Sequence, residues 1–261
     1  YGSSVADTGC CGSGSCDFEA VVFSGNAKDI ANAVKQRYGA LAERGGKHAL
    51  EASENKPSDE FYTDSQRSTI SDKSAGTSNG TGNPLAHVDV VAGKTVFDLG
   101  SVGGIDRLFM SSSVCDSGRV IGAMLPCMVS LARDNAKKLG LTNVVFKRGH
   151  IEQIPQDETS VDLVISNGFF SLSEWKYMVL SEMFRVLKPG GRFVISDLVT
   201  DELLPESIRD STGQWVEGVD DAAVRSAYLG MIKSAGFVDI EIVDERTGPN
   251  GAEEWRHLVK S

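Results

Sequence analysis

The chain of 261 residues carries 26 basic and 36 acidic side chains, a net charge of −10. Nucleic-acid phosphate and anionic membranes are repelled by such a surface, which argues against both as main partners and leaves a small-molecule substrate as the expectation. No apolar run reaches membrane-spanning length and Tyr1 opens no signal-like segment, so the expectation is a soluble, cytoplasmic protein.

The first 18 residues are small and polar and hold the cluster C-C-G-S-G-S-C, with Cys10, Cys11 and Cys16. Five cysteines, an odd number with a vicinal pair, argue against a secreted disulfide framework. The cluster is either a soft-metal or metalloid site built on thiolates, or a set of incidental thiols in a Gly/Ser-rich tail. No obligatory metal is expected. Cys115 and Cys127 lie near the second strand, where burial as small apolar residues is expected. Residues 26–44 place Ile30, Val34 and Leu41 at helical spacing, and residues 51–83 have the polar composition of a linker or cap. The chain divides into a cap, residues 1–80, and an α/β domain, residues 81–261.

A regular alternation follows. Strand one, Thr95 to Leu99, runs into the turn G-S-V-G-G and a helix from about Ile105. Strand two is Gly118 to Gly122, and its following helix, starting at Met128, is closed by Gly140. Strand three is Val144 to Lys147. Strand four, V-D-L-V-I-S-N, is a continuous apolar run of the kind buried on both faces. A helix from Lys176 to Leu187 ends at K-P-G-G, and R-F-V-I-S-D forms strand five. A helix from Asp221 to Ala235 stops at Gly236, and Val238 to Val243 opens a closing hairpin that ends near Trp255 to Val259. The reading is an α/β fold with a doubly wound, seven-stranded, mostly parallel sheet, whose ligand lies beyond the carboxyl ends of the strands.

The series D-L-G-S-x-G-G-I-D, L-G-L-T-N-V-x-F, V-D-L-V-I-S-N and F-R-V-L-K-P-G-G-R resembles class I S-adenosylmethionine-dependent methyltransferases, a Rossmann-like fold. Within them, G-N-P (Gly82 to Pro84), G-H-I-E-Q-I-P (Gly149 to Pro155), S-D-L-V (Ser196 to Val199) and V-K-Q-R-Y-G (Val34 to Gly39) are similar to the arsenite methyltransferases. In the family, a Tyr-Gly helix end precedes paired cysteines. Here Tyr1-Gly2 with Gly9 recurs as Tyr38-Gly39 with Gly46, which is either a partial duplication or coincidence.

The resemblance implies S-adenosylmethionine as cofactor, held by Asp98, Gly100, Val102, Gly103, Gly104, Met124, Ile151, Glu152 and Asn167. The departures predict that this binding is weak or lost. Val102 narrows the glycine turn and resists a positive φ. The acid that the family places after strand two, to hold the ribose, is missing, because V-I-G is followed by A-M-L-P-C-M. A carboxylate on two hydroxyls makes charge-assisted bonds of roughly 1.5–3 kcal/mol each. His150 stands where the adenine loop usually has an acid.

The resemblance also implies arsenic-binding cysteines after strand four and after a later tryptophan. Gly168 replaces the first, and Glu217 or Gly218 stands at the second. Phe169, Phe170, Trp175 and Trp215 instead suggest an apolar pocket beside Gly168 for an organic molecule, with core packing as the alternative. Candidate acid/base residues are His150, Glu174, Asp197 and Glu217. Three functions compete: a methyltransferase on a small organic substrate, with arsenite methylation doubtful; a non-methylating cyclase, isomerase or lyase on the same fold; or a metal- or metalloid-binding protein without catalysis.

Overall fold

The computed structural model describes residues 61–64, 66, 80–100, 105–124, 126–168, 170, 173, 175–203, 222–247 and 254–260. In chain order the elements are β1 (Thr95–Leu99), α1 (Ile105–Val114), β2 (Arg119–Met124), α2 (Pro126–Lys138), β3 (Val144–Arg148), β4 (Val161–Asn167), α3 (Lys176–Val186), β5 (Leu187–Thr200), β6 (Ala223–Val224), α4 (Arg225–Ser234), β7 (Glu241–Thr247) and β8 (Glu254–Lys260). A 3-10 turn, Pro84–His87, precedes β1.

The sheet order is β3-β2-β1-β4-β5-β8-β7, with the two-residue β6 beside the end of β5. β8 is antiparallel to both neighbours and the other pairs are parallel. This is the expected mostly parallel sheet with a reversed last strand, and β6 is the added piece. The order reverses between β1 and β4, which makes their carboxyl ends the crevice where such sheets bind ligands.

Alternation along each strand splits the apolar residues between two faces. One face, with Phe97, Val164, Phe193 and Ile195, packs against Val179, Leu180 and Met183 of α3 and Tyr228 and Ile232 of α4. The other, with Val96, Val120, Leu163, Ile165 and Val194, packs against Met110 and Val114 of α1.

Several boundaries differ from expectation. α2 begins at Pro126, a residue pre-set for the first helical turn, rather than at Met128. α4 begins at Arg225 rather than Asp221. β5 runs through K-P-G-G instead of starting after it. The register against β4 shifts between Val161 and Leu163 to absorb those residues, with Gly190 at a φ of 74°. The helix ends read as expected: Gly140 and Gly236 have positive φ and donate to Lys137 and Lys233 carbonyls. Among the described residues, no helix is long and apolar enough to cross a membrane.

Candidate functional site

β1 ends at Leu99, and Gly100 leads out with a φ of 77°, its N–H donating to the Ala123 carbonyl. Glycine takes this left-handed backbone without cost. One residue below that edge lies Asp98, fully buried. Its registered neighbour on β2 is Gly122, and the neighbour of Gly122 on β3 is Phe146. These three positions form a row across the sheet on the face covered by α1.

Arg107, from the first turn of α1, spans this row. Its Nε lies 2.8 Å from an Asp98 carboxylate oxygen, with both side chains completely buried. Its guanidinium carbon sits 5.3 Å from the centroid of Phe146, a cation–π contact. A Cβ placed on Gly122 would fall 1.8 Å from Nη1. The missing side chain at Gly122 is therefore the space through which the guanidinium passes. Burial lowers the Arg107 pKa, opposed by Asp98 and Asp106.

A second network closes the edge beside it. Asn167, the last residue of β4, accepts from the Thr81 N–H at 2.9 Å and donates to the Gly82 carbonyl at 2.9 Å, the Tyr62 hydroxyl at 3.1 Å and Asp106 at 3.2 Å. Tyr62 donates to the other Asp106 oxygen at 2.6 Å. Burial raises the Asp106 pKa, against the bonds from Tyr62 and Asn167 and the charge of Arg107. Tyr62 is raised well above its ordinary value by burial and then by Asp106, so it stays a neutral donor. Tyr62 belongs to the stretch assigned to the cap, and it packs on the α/β domain.

Beyond this clamp a cleft of about 70 Å³ lies among Phe61, Thr81, Asn83, His87, Ser196 and Arg246. Thr81 and Ser196 exchange a hydroxyl hydrogen bond of 2.9 Å there.

Residues 91–251 match a family model described as "Methyltransferase domain". The chain belongs to this methyltransferase-domain family. It is 36% identical over 177 residues to the arsenite methyltransferase of Halobacterium salinarum, covering 67% of this chain and 45% of that protein. It is 32% identical to the arsenite methyltransferase of Aquipseudomonas alcaligenes, over 59% of this chain and 47% of that one. The chain thus spans about half the length of these curated relatives. Among solved structures it resembles an arsenic(III) S-adenosylmethionine methyltransferase from Chlamydomonas reinhardtii, with 28% identity and a TM-score of 0.66, over 75% of this chain and 71% of that one. Fold and sequence together place it among class I methyltransferases, near the arsenite methyltransferases.

The residues expected to hold the cofactor are brought to one edge only in part. Gly100 shapes the exit from β1, while Val102, Gly103 and Gly104 lie outside the described residues. Met124 ends β2, and no acidic residue stands at its carboxyl end. Asp98 is engaged by Arg107 within the core. Asn167 is committed to the clamp. Ile151 is a core residue, and Glu152 accepts a 2.5 Å hydrogen bond from Ser173. Among the described residues, the polar complement does not fit S-adenosylmethionine as the resemblance implied.

The substrate side calls for corrections. Phe170 is completely buried and packs edge-on against Tyr228, with ring centroids 5.3 Å apart, so it is core rather than pocket lining. Trp175 is 58% exposed. Gly168 takes a φ of 68° and donates to the Ser196 carbonyl at 2.8 Å, a turn that a cysteine would adopt with strain. Phe169 and Trp215 lie outside the described residues, as do Glu174, Glu217 and Gly218.

The candidate acid/base residues are scattered. His150 is exposed on the loop after β3. Asp197 is completely buried on the opposite sheet face from Asp98, where its charge and burial together raise the Tyr228 pKa, burial being the larger cause. It does not face the cleft. Cys10, Cys11 and Cys16 lie outside the described residues, and among those described no group of three or more His, Cys, Asp or Glu could hold a metal. Cys115 is exposed, with a φ of 58°, rather than buried as expected. Cys127 lies in the first turn of α2.

Arg107, Asp106 and Tyr62 were missed by sequence reasoning. The available signal was an arginine two residues into the helix after the glycine turn, a place where the helix must lie flat on the sheet.

Proposed function

We propose that this protein is an S-adenosylmethionine-dependent methyltransferase acting on a small organic molecule at the carboxyl edge of β4 and β5, with arsenite a poor substrate. The observation that carries the reading is the sheet order, which reverses between β1 and β4 with Gly100 at the reversal, in a chain of the methyltransferase-domain family. Methyl transfer needs mainly an in-line approach to an electrophilic methyl group, so positioning can supply most of the rate without a dedicated acid or base. That agrees with the scatter of His150 and Asp197. The cleft beside Asn167 mixes Phe61 with hydroxyl, amide and guanidinium groups, a lining that suits an organic molecule with a polar end. Gly168 removes the thiol that the resemblance assigns to arsenic.

A second reading is favoured by one specific feature. Asp98 is taken up by Arg107 and β2 ends without an acid, as in an enzyme whose pocket has outlived its cofactor and turned to cyclisation, isomerisation or elimination. One assay separates these readings. The full chain is incubated with S-adenosylmethionine and either arsenite with glutathione or a panel of small organic acceptors. Release of S-adenosylhomocysteine with an organic acceptor, and little methylated arsenic, is the expected result. Rapid arsenite methylation that vanishes in Cys10→Ser/Cys11→Ser would make it a working arsenite methyltransferase. Transfer to no acceptor would favour the second reading.

A further inference from the structure

The cleft between the Pro84–His87 turn and the end of the sheet has a fixed pattern of donors and acceptors. Ser196 of β5 and Asp244 of β7 both stand opposite Leu258 of β8, which sets them in one row across the sheet. The cleft they help to line measures about 70 Å³, several times the roughly 10–15 Å³ that one water needs. The Thr63 N–H donates to Gln66 Oε1 at 3.0 Å, which fixes that atom as the amide oxygen. Gln66 Oε1 and the Phe61 carbonyl then both accept from Asn83 Nδ2, at 3.4 and 3.2 Å. Asn83 Oδ1 is therefore turned away from them. It is buried in a residue of the cleft wall, with no hydrogen-bond partner among the described residues. A buried acceptor left unpaired is costly, so a donor brought to it is favoured.

Arg246 supplies the opposite polarity. Its Nε donates to Asp244 at 3.1 Å, and its guanidinium carbon lies 5.9 Å from the centroid of Phe61. The terminal N–H groups of a guanidinium remain donors when Nε is engaged, while the charge is offset by Asp244. Thr81 and Ser196, joined at 2.9 Å, add hydroxyls that can give or accept a bond. An ammonium ligand would meet the cation of Arg246, which already sits over Phe61. A carboxylate would meet Asp244 and the unpaired oxygen of Asn83. A neutral group with both an N–H and a carbonyl meets neither penalty. We propose that the cleft recognises a neutral amide-type head group on the substrate, its N–H bonded to Asn83 Oδ1 and its carbonyl oxygen to Arg246. This rests on the reading that the cleft takes the polar end of the substrate, and it names that end.

Benzamide, benzoate and benzylamine share one ring and differ in the head group, so they test the pattern directly. Each is titrated without cofactor into the full ¹⁵N-labelled chain, and the backbone amide shifts of Thr81, Gly82 and His87 are followed. Benzamide should saturate these shifts and bind at least about fivefold more tightly than either charged probe. Asn83→Asp keeps an acceptor and adds a negative charge, so benzylamine should overtake benzamide. Arg246→Met should weaken benzamide about fivefold, and it serves if Asn83→Asp does not fold. Equal binding of all three probes in every chain would mean that the ring alone drives association, which overturns the proposal. So does a wild type that prefers benzoate or benzylamine, or one in which benzamide moves none of the three amides. Methyl transfer to an acceptor with another head group, without benzamide binding, would overturn this inference and sustain the methyltransferase reading. Benzamide binding in a chain that methylates no acceptor would do the reverse.

Discussion

Gly122→Ala tests whether the row is a packed unit. The new Cβ would meet Nη1 of Arg107 at 1.8 Å, Cζ at 2.4 Å and Cδ at 2.8 Å. Carbon contacts settle at about 3.5–4 Å, so the overlap is roughly 2 Å at its worst. An arginine tip at the surface would swing aside. This one is completely buried and bound to Asp98 at 2.8 Å, so a shift of that size breaks the ion pair. Two responses compete. Pulling the guanidinium off leaves a buried carboxylate uncompensated, at about 3–5 kcal/mol. Pushing β2 outward costs about 1–3 kcal/mol, as overpacked cores do. The cheaper response wins, and Gly122→Ala should destabilise by about 2–3 kcal/mol. In the Asp98→Asn/Arg107→Met background the tether is gone and a flexible thioether can move. The same substitution should then cost less than about 1 kcal/mol, helped by the lower chain entropy of alanine. Urea unfolding of the four chains measures the coupling, which should reach about 1 kcal/mol or more. Costs that add to within about 0.5 kcal/mol, or a Gly122→Ala cost below that figure in wild type, would refute the argument.

Two further outcomes follow from the edge and the sheet. Asn167→Ala removes the partners of the Thr81 and Gly82 backbone groups and of Asp106, and should cost about 2–3 kcal/mol, with amide exchange accelerating at Thr81 and Gly82 more than within β4. Asn167→Asp should be worse, since it sets a second carboxylate against Asp106. Asp162 loses solvation on burial, but hydrogen bonds from Lys188, the Thr95 N–H and Lys94 outweigh this and lower its pKa. Its contribution is present above the unfolded value near 4 and is lost as pH falls through the lower folded value, so stability should decline on the acid side. Asp162→Asn should flatten that acid limb in unfolding curves measured from pH 6 downward, and an unchanged slope would count against it.

The strands were legible because they are short apolar runs bounded by turn residues, and a parallel sheet buries such runs on both faces. The doubly wound, mostly parallel arrangement then followed from their alternation with helices. K-P-G-G was legible as an interruption but not as a register shift within one strand, because that depends on where Val161 and Leu163 find partners. Phe170 misled for a local reason. It follows the strand end, where a pocket is expected, yet the turn at Gly168 is followed by Phe170 packed under the sheet against Tyr228.

Asp98 teaches the most about site reading. Motif reasoning treats an acid beside a glycine turn as a ligand for something outside the chain. A carboxylate with no solvent exposure needs compensation in the folded protein whether or not a ligand is bound, and the nearest compensation is an internal cation. Arg107 supplies it only because Gly122, 24 positions from Asp98, is brought into register beside it. No spacing in the sequence announces that pairing, since it requires the parallel register of β1 and β2 together with the position of α1 above them. The glycine that reads as an ordinary strand residue is therefore the condition for the arginine. The arginine, in turn, compensates the acid of the motif from inside the fold.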